Sequence, residues 1–218
     1  MWNEQIIMML LEGIKDTLYM TLTSTLIGYV IGLPMGILLT VTDKDGIHPN
    51  TAVYKVLDVI ANLIRSVPFL ILLIVLIPFT RFLIGRSYGP TATIVPLVIA
   101  AAPYIARMVE SSLKEVDAGV IEAARSMGAS NFTIVTKVML VEARTSLIVG
   151  ATISLGTILG YSAMAGTVGG GGLGDMAIQY GYKGNESDVM IVTVVLIVIV
   201  VGIIQVCGDM LSRLVDHR

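Results

Sequence analysis

The sequence predicts an all-α integral membrane protein, with five transmembrane helices in a single domain that covers residues 1–218. Its composition and its long uncharged runs both support this prediction. Of the 218 residues, 55% are hydrophobic and only 14% are charged, whereas soluble domains carry roughly 25% charged residues. Because a water-soluble fold could not cover so much apolar surface, most of that surface is expected to face lipid.

Each span is predicted from a run of residues that is long enough to cross the bilayer core, which takes roughly 20 apolar residues in a helix. Backbone groups in lipid must bond within their own segment, so each run is expected to be helical. The second span is the least regular, because Arg65 interrupts it. Residues Met1–Leu11, with Trp2, are expected to form a short helix at the membrane interface. The five predicted spans cover residues 17–42, 59–84, 87–106, 145–167 and 189–208.

The basic residues predict the orientation of the chain. With the N-terminus outside, ten Lys and Arg residues fall on the inner side and four on the outer side, which agrees with the excess of positive charge found in cytoplasmic loops. The C-terminus and the polar loop 107–144 are then expected to be cytoplasmic. The residues expected inside are Lys44, Lys55, Arg65, Arg107, Lys114, Arg125, Lys137, Arg144, Arg213 and Arg218, against Lys15, Arg81, Arg86 and Lys183 outside.

The sequence contains no motif for catalysis, for metal binding or for a cofactor. Gly169, Gly171 and Gly174 formally match a dinucleotide-binding pattern, but they follow a membrane span rather than a strand, and no phosphate-binding lysine follows them. No basic stripe tracks phosphates, which excludes nucleic acid as a partner. The uncharged cores also lack the titratable groups that proton-driven transporters use. The chain is therefore not expected to be an enzyme or to supply its own energy.

Small residues recur at helical spacing in two of the predicted spans. Gly28, Gly32 and Gly36 repeat every four residues in the first, and Gly156 and Gly160 do so in the fourth. Such residues let two helices approach closely in lipid. Two interpretations remain open: fixed packing between helices, or faces that slide and rock during transport.

The loop 107–144 is expected to contain short amphipathic helices and to turn at Gly128. Ala123 and Ala124 are small enough for their helix to fit a groove on another protein, and Glu122 could pair there. Gly128 permits the left-handed conformation that reverses the chain. The alternative is an ordinary surface helix with a solvated acid.

The spacing of these residues resembles the loop with the Glu-Ala-Ala motif that is found in permeases of ABC importers. The resemblance extends to Val138 and Leu140 and fails at Val141, where the family usually has proline. In that family the loop forms a coupling helix that docks on an ATPase subunit. The resemblance therefore implies the type I ABC-importer permease fold. It also implies that the residues which couple the chain to the ATPase are Glu122, Ala123, Ala124 and Gly128.

Longer stretches are similar to the methionine-importer branch of that family. That branch implies a homodimer in the bacterial inner membrane, two ATP-binding subunits that hold ATP and Mg²⁺, and a methionine-binding lipoprotein outside. The missing energy source would then lie in a partner chain. The matching stretches are residues 65–69, 102–110, 160–164 and 170–174, followed by 180–182.

The fourth span carries the residues expected to line a translocation pathway. Tyr161, Ser162 and Met164 combine hydroxyl groups with a thioether, which suits a small amphiphilic solute. Packing between helices is the alternative role for these side chains. Two other functions also remain open. The chain could be a permease for another amino acid or small solute, or a membrane channel or assembly protein that works without ATP.

Overall fold

The computed structural model describes residues 4–215, which form helices and turns with no β-strand. Four of these helices are long and apolar enough to cross a membrane, and a bent helix pair provides a fifth span if it is counted as one. The predicted all-α membrane class is thereby confirmed. The helices are α1 Glu4–Thr42, α2 Thr51–Ser66, α3 Phe69–Val75, α4 Ile77–Ile84, α5 Pro90–Lys114, α6 Ala118–Ser126, α7 Asn131–Thr133, α8 Leu140–Glu142, α9 Arg144–Ala165, α10 Gly172–Met176 and α11 Ser187–Val215, with π-helical turns at Ile134–Met139 and Ala177–Lys183.

Two helices are longer than the uncharged runs that predicted them. Helix α1 is continuous for 39 residues from Glu4, so residues 4–11 do not form the separate interfacial helix that the sequence predicted, and Trp2 lies outside the described residues. Helix α5 continues past the predicted end at residue 106 to Lys114. It can do so because the charged side chains in its last two turns pair with one another and with neighbouring helices.

The second predicted span is broken rather than straight. Helices α2 and α3 meet at an angle of 100°. Pro68 lies at the break, and Val67 before it has φ −83° and ψ 124°, the extended conformation that a following proline favours. Because proline also removes a backbone donor, the helix cannot continue through this point. The span predicted over residues 59–84 is thus made of three helical pieces, of which the first two differ in direction.

Helices α1 and α5 run parallel and form the most extensive helix contact in the described chain. The glycines of α1 provide this contact. A Cβ atom at Gly32 would lie 2.6 Å from the carbonyl oxygen of Ala102, and one at Gly36 would lie 2.6 Å from that of Ala106. These glycines therefore serve close packing. In contrast, a Cβ atom at Gly156 or Gly160 would meet no atom of the described chain within 4 Å.

Residues 43–50 and 115–143 gather at one end of the bundle, which we call the loop end. Helices α1 and α5 both arrive there, and α2 and α9 both leave from it. At the opposite end the Gly89 N–H donates to the Gly169 carbonyl over 2.9 Å, and the Leu173 N–H donates to Thr17 Oγ1 over 2.8 Å. Each end of the bundle is thus tied together by contacts between distant parts of the chain.

Candidate functional site

Helix α6 forms the centre of the polar loop, and local hydrogen bonds define both of its ends. The Asp117 carboxylate accepts from the Gly119 N–H over 2.8 Å and so caps the start of the helix. Gly128 follows its end with φ +81°, a conformation that costs little only for glycine. The next helix begins at once, because the Ser130 hydroxyl accepts from the Thr133 N–H. The predicted helix with a turn at Gly128 is present.

The predicted coupling residues divide between two faces of α6. Glu122 and Ala123 are exposed, whereas Ala124 is 5% exposed and belongs to the core. Arg125 then attaches the helix to the rest of the molecule, because its guanidinium donates to the Ile47 carbonyl over 2.7 Å. The turn between α1 and α2 and the loop helix α6 are therefore one connected surface, with Ala123 on its outer side.

Two large apolar side chains beside Gly128 were not singled out from the sequence. Met127 is 82% exposed and Phe132 is 78% exposed. They are the most exposed apolar side chains of the loop, ahead of Val141 at 45% and Val120 at 41%. Both of these residues lie in the polar loop, so a protein partner is the more natural cover. A lone apolar residue within a polar run is the only sequence signal that could have revealed them.

Ion pairs connect three helices near the loop end. Glu110, whose side chain is 7% exposed, accepts from Arg107 over 2.7 Å and from Lys114 over 2.8 Å. Arg107 also pairs with Asp58 of α2, and Lys114 pairs with Asp43 after α1 over 2.7 Å. Glu110 thus lies between two cations, each of which also holds a neighbouring segment.

The same network lowers one pKa outside the spans. The hydrogen bond from Lys114 holds the pKa of the Asp43 carboxyl below its ordinary value. A carboxyl with a depressed pKa in the folded state stabilises the fold at pH values above its unfolded pKa of about 3.9. That contribution is lost as the pH falls through the lower folded-state pKa, so the pair is fully formed at neutral pH.

Replacement of Glu110 by glutamine tests the network. We expect Glu110→Gln to lower the free energy of unfolding by about 2–3 kcal/mol, because it removes a buried carboxylate charge that two cations share. Thermal unfolding of the purified protein in detergent measures this loss. The matched control is Glu115→Gln, since Glu115 is exposed on the following turn and its replacement should change stability by less than about 0.5 kcal/mol. Equal stability of the two variants would contradict the role of Glu110.

The three predicted pathway residues have different environments. Tyr161 is half-buried and stacks on Phe69, with ring centroids 4.5 Å apart and an interplanar angle of 6°. Ser162 is 1% exposed and donates its hydroxyl proton to the Leu159 carbonyl, which agrees with the packing alternative. Met164 is 50% exposed. Of the three, only Tyr161 and Met164 present a surface that a solute can touch within the described chain.

Arg65 does not lie at the loop end, where the sequence placed it. Helix α2 runs antiparallel to α5. The Lys114 ammonium lies 6.0 Å from the centre of the Tyr54 ring, and Asp58, farther along α2, pairs with Arg107. Farther along, Arg65 lines a cavity together with Tyr104, close to the middle of α5. The charge was misplaced because the bend at Pro68 sets the depth of α2, and hydropathy does not report that bend.

The helical bundle and its capped loop helix α6 resemble parts of known proteins. The sequence matches the family of binding-protein-dependent transport system inner membrane components over residues 28–218. The chain belongs to this family. The resemblance found in the sequence is thereby confirmed, and this binding-protein-dependent transport component is a transport subunit rather than an enzyme.

Similar proteins extend over nearly the whole transport component. A probable D-methionine transport system permease protein of Vibrio cholerae is 47% identical over 210 residues, which cover 96% of this chain and 93% of that protein. The methionine import system permease protein of Bacillus subtilis is 48% identical and covers 93% of this chain and 91% of its own.

Solved structures of transporters agree with the fold. An inward-facing structure of the MetNI methionine ABC transporter has a TM-score of 0.97 at 49% identity and covers 99% of this chain and 100% of its own. The structure of an amino acid ABC transporter with histidines has a TM-score of 0.79 at 21% identity and covers 96% of this chain and 95% of its own, so it shows the fold alone. The predicted ABC-importer permease fold is confirmed.

Proposed function

We propose that the chain is the membrane subunit of an ATP-driven ABC importer for methionine. The observation that carries this proposal is the 47% identity to the V. cholerae methionine permease over 96% of the chain. Import of another amino acid or small solute is the first alternative. A channel or assembly protein that works without ATP is the second, and membership of a binding-protein-dependent transport family argues against it.

In this proposal the energy comes from two ATP-binding subunits, which hold ATP and Mg²⁺, while the chain itself binds neither. Helix α6, with Glu122, Ala123, Ala124 and Gly128, docks on one ATPase subunit. Closure of the ATPase pair by ATP moves α6, and the permease rocks between inward-open and outward-open states. The exposed side chains of Met127 and Phe132 support such a docking surface.

We also propose that the working unit is a homodimer in the bacterial inner membrane, with the N-terminus outside and the C-terminus in the cytoplasm. Five spans are few for a solute pathway. A Cβ atom at Gly156 or Gly160 would meet no neighbouring atom within 4 Å in the described chain, which leaves room on this small-residue face for the close approach of a second copy. A methionine-binding lipoprotein delivers the solute outside, and the half-buried side chain of Tyr161 and the exposed one of Met164 on α9 line its path.

Reconstituted transport tests the proposal. Vesicles that contain the chain, its ATPase, the lipoprotein and internal ATP are expected to accumulate labelled L- or D-methionine. Vesicles with the chain alone should not accumulate it. A tenfold excess of other unlabelled amino acids should leave uptake largely unchanged if methionine is the solute. Uptake that persists without any ATPase would contradict the energy source, and equal competition by unrelated amino acids would contradict the substrate.

A further inference from the structure

A small cavity lies beside the bend between α2 and α3. Its volume is about 180 Å³, which leaves room for one amino acid of the size of methionine. The polar groups that line it are Arg65 from the last turn of α2, Tyr104 from the middle of α5 and Tyr161 from α9. Phe69 and Leu72 add an apolar wall. Helices that are distant in sequence thus bring one cation and two hydroxyl groups to the same place.

Arg65 has no partner for its charge within the described residues. Its side chain is exposed and makes no hydrogen bond and no ion pair in residues 4–215, whereas Arg107, one turn beyond Tyr104, pairs with Asp58 and Glu110. A cation level with the middle of a spanning helix is expensive unless an anion or water meets it. Because its guanidinium is exposed and unpaired within the described residues, Arg65 is available to an anionic group that enters this cavity.

The geometry of the groups in the cavity suits a carboxylate. A guanidinium presents paired N–H donors that match the two oxygens of a carboxylate. The ring of Tyr161 is held in place by its stacking on Phe69 at 4.5 Å, and the Tyr104 hydroxyl lies 3.3 Å from Thr157 Oγ1. Both tyrosines are therefore fixed before a ligand arrives, which lowers the entropy lost on binding.

The broken helix adds a feature suited to an ammonium group. Helix α2 ends at Ser66, and only the Ile64 carbonyl of its last turn is paired beyond the helix, by the Val67 N–H. The C-terminal end of a helix carries partial negative charge on its free carbonyl oxygens. A helix that is interrupted within the membrane commonly offers such ends to a solute. The free carbonyl groups at this end belong to the same helical turn as Arg65.

We propose that this cavity is a solute site within the permease, in which Arg65 binds the α-carboxylate of the transported amino acid. The proposal rests on the proposed function, since it takes an amino acid as the solute. The stacked rings of Phe69 and Tyr161 form the wall against which an apolar side chain lies, and a thioether sulfur packs well against aromatic rings. An acidic side chain of a second copy is the competing partner for Arg65.

Binding of labelled methionine to the permease–ATPase complex in lipid nanodiscs, without the lipoprotein, tests the site. Binding by the ATPase alone is subtracted. We expect Arg65→Gln to weaken methionine binding at least tenfold and Arg65→Lys to weaken it less, since lysine keeps the charge but loses the paired donors. The matched control is Lys55→Gln, which removes the same charge from an exposed position on the same helix and should bind as the wild type does.

Methioninol, which lacks the carboxylate, tests whether Arg65 recognises that group or whether its replacement disturbs the complex in general. It should compete at least tenfold more weakly than methionine in the wild type, and this difference should vanish in Arg65→Gln. Unchanged binding in Arg65→Gln, a retained preference for methionine over methioninol, or separation of the two permease copies in that variant would each overturn the site. Failure of the wild-type complex to import methionine would instead overturn the proposed function, and the same variants would then be compared with a labelled amino-acid mixture.

Discussion

Replacing Met127 and Phe132 together with aspartate is expected to abolish both the association of the chain with an ATPase subunit and ATP-driven uptake. The two side chains are 82% and 78% exposed on either side of Gly128, more than any other large apolar side chain of the loop. Buried apolar anchors at an interface contribute about 2–4 kcal/mol each. Loss of both therefore weakens association at least a thousandfold, because a desolvated carboxylate would also replace each anchor.

Copurification of the ATPase with the tagged chain measures this effect, together with uptake in the same vesicles. The matched control is Lys44→Glu, which also lowers the net charge by two at a loop-end side chain that is 84% exposed. Unfolding temperatures should agree for the double variant and the wild type, because neither residue packs in the core. An ATPase that stays bound to the double variant with full uptake would place the docking surface elsewhere.

Loss of the folded protein is the expected result of Gly32→Leu combined with Gly36→Leu. A Cβ atom at either position would lie 2.6 Å from a backbone carbonyl oxygen of α5. A backbone cannot move aside as a flexible side chain can, so α1 would have to separate from α5 over their largest contact. Overpacking of this kind costs about 3 kcal/mol for each residue, and two such costs approach the 5–15 kcal/mol that holds a typical protein together.

Size-exclusion profiles and thermal unfolding in detergent report this loss. Gly202→Leu is the matched control, since a Cβ atom at Gly202 in α11 would meet no atom of the described chain within 4 Å. It adds the same side chain to a spanning helix and should leave the unfolding temperature within a few degrees of the wild type. A stable double variant would mean that α1 and α5 are free to slide, the alternative that the sequence left open.

The sequence predicted the helices whose apolar runs are uninterrupted. It did not predict the directions in which helices run after a break. Helices α1, α5, α9 and α11 each contain an uncharged run, because lipid requires both length and apolarity. Proline permits a kink, but the 100° break at Pro68 was not predicted, since hydropathy reports how apolar a run is and not where it points. The extension of α5 to Lys114 was missed because its charges are compensated by pairing, which composition does not reveal.

The candidate site was predicted in part. Local chemistry is enough to foresee a helix that ends at Gly128, because only glycine adopts φ +81° without strain. The position of Arg65 required knowledge of which helices pack together, and charge counting placed it at the wrong level. The apolar anchors Met127 and Phe132 were missed because two isolated side chains in a polar loop produce no periodic pattern.

The hydrogen bond from Arg125 to the Ile47 carbonyl has a mechanical consequence. It connects α6 to the turn that precedes α2. A displacement of α6 would therefore be transmitted to the start of α2. With 16 residues, α2 is about 24 Å long. The Asp58–Arg107 pair holds α2 near its middle, and Arg65 lies in its last turn. A small displacement at the loop end that rotates α2 about this pair would therefore also move the guanidinium of Arg65.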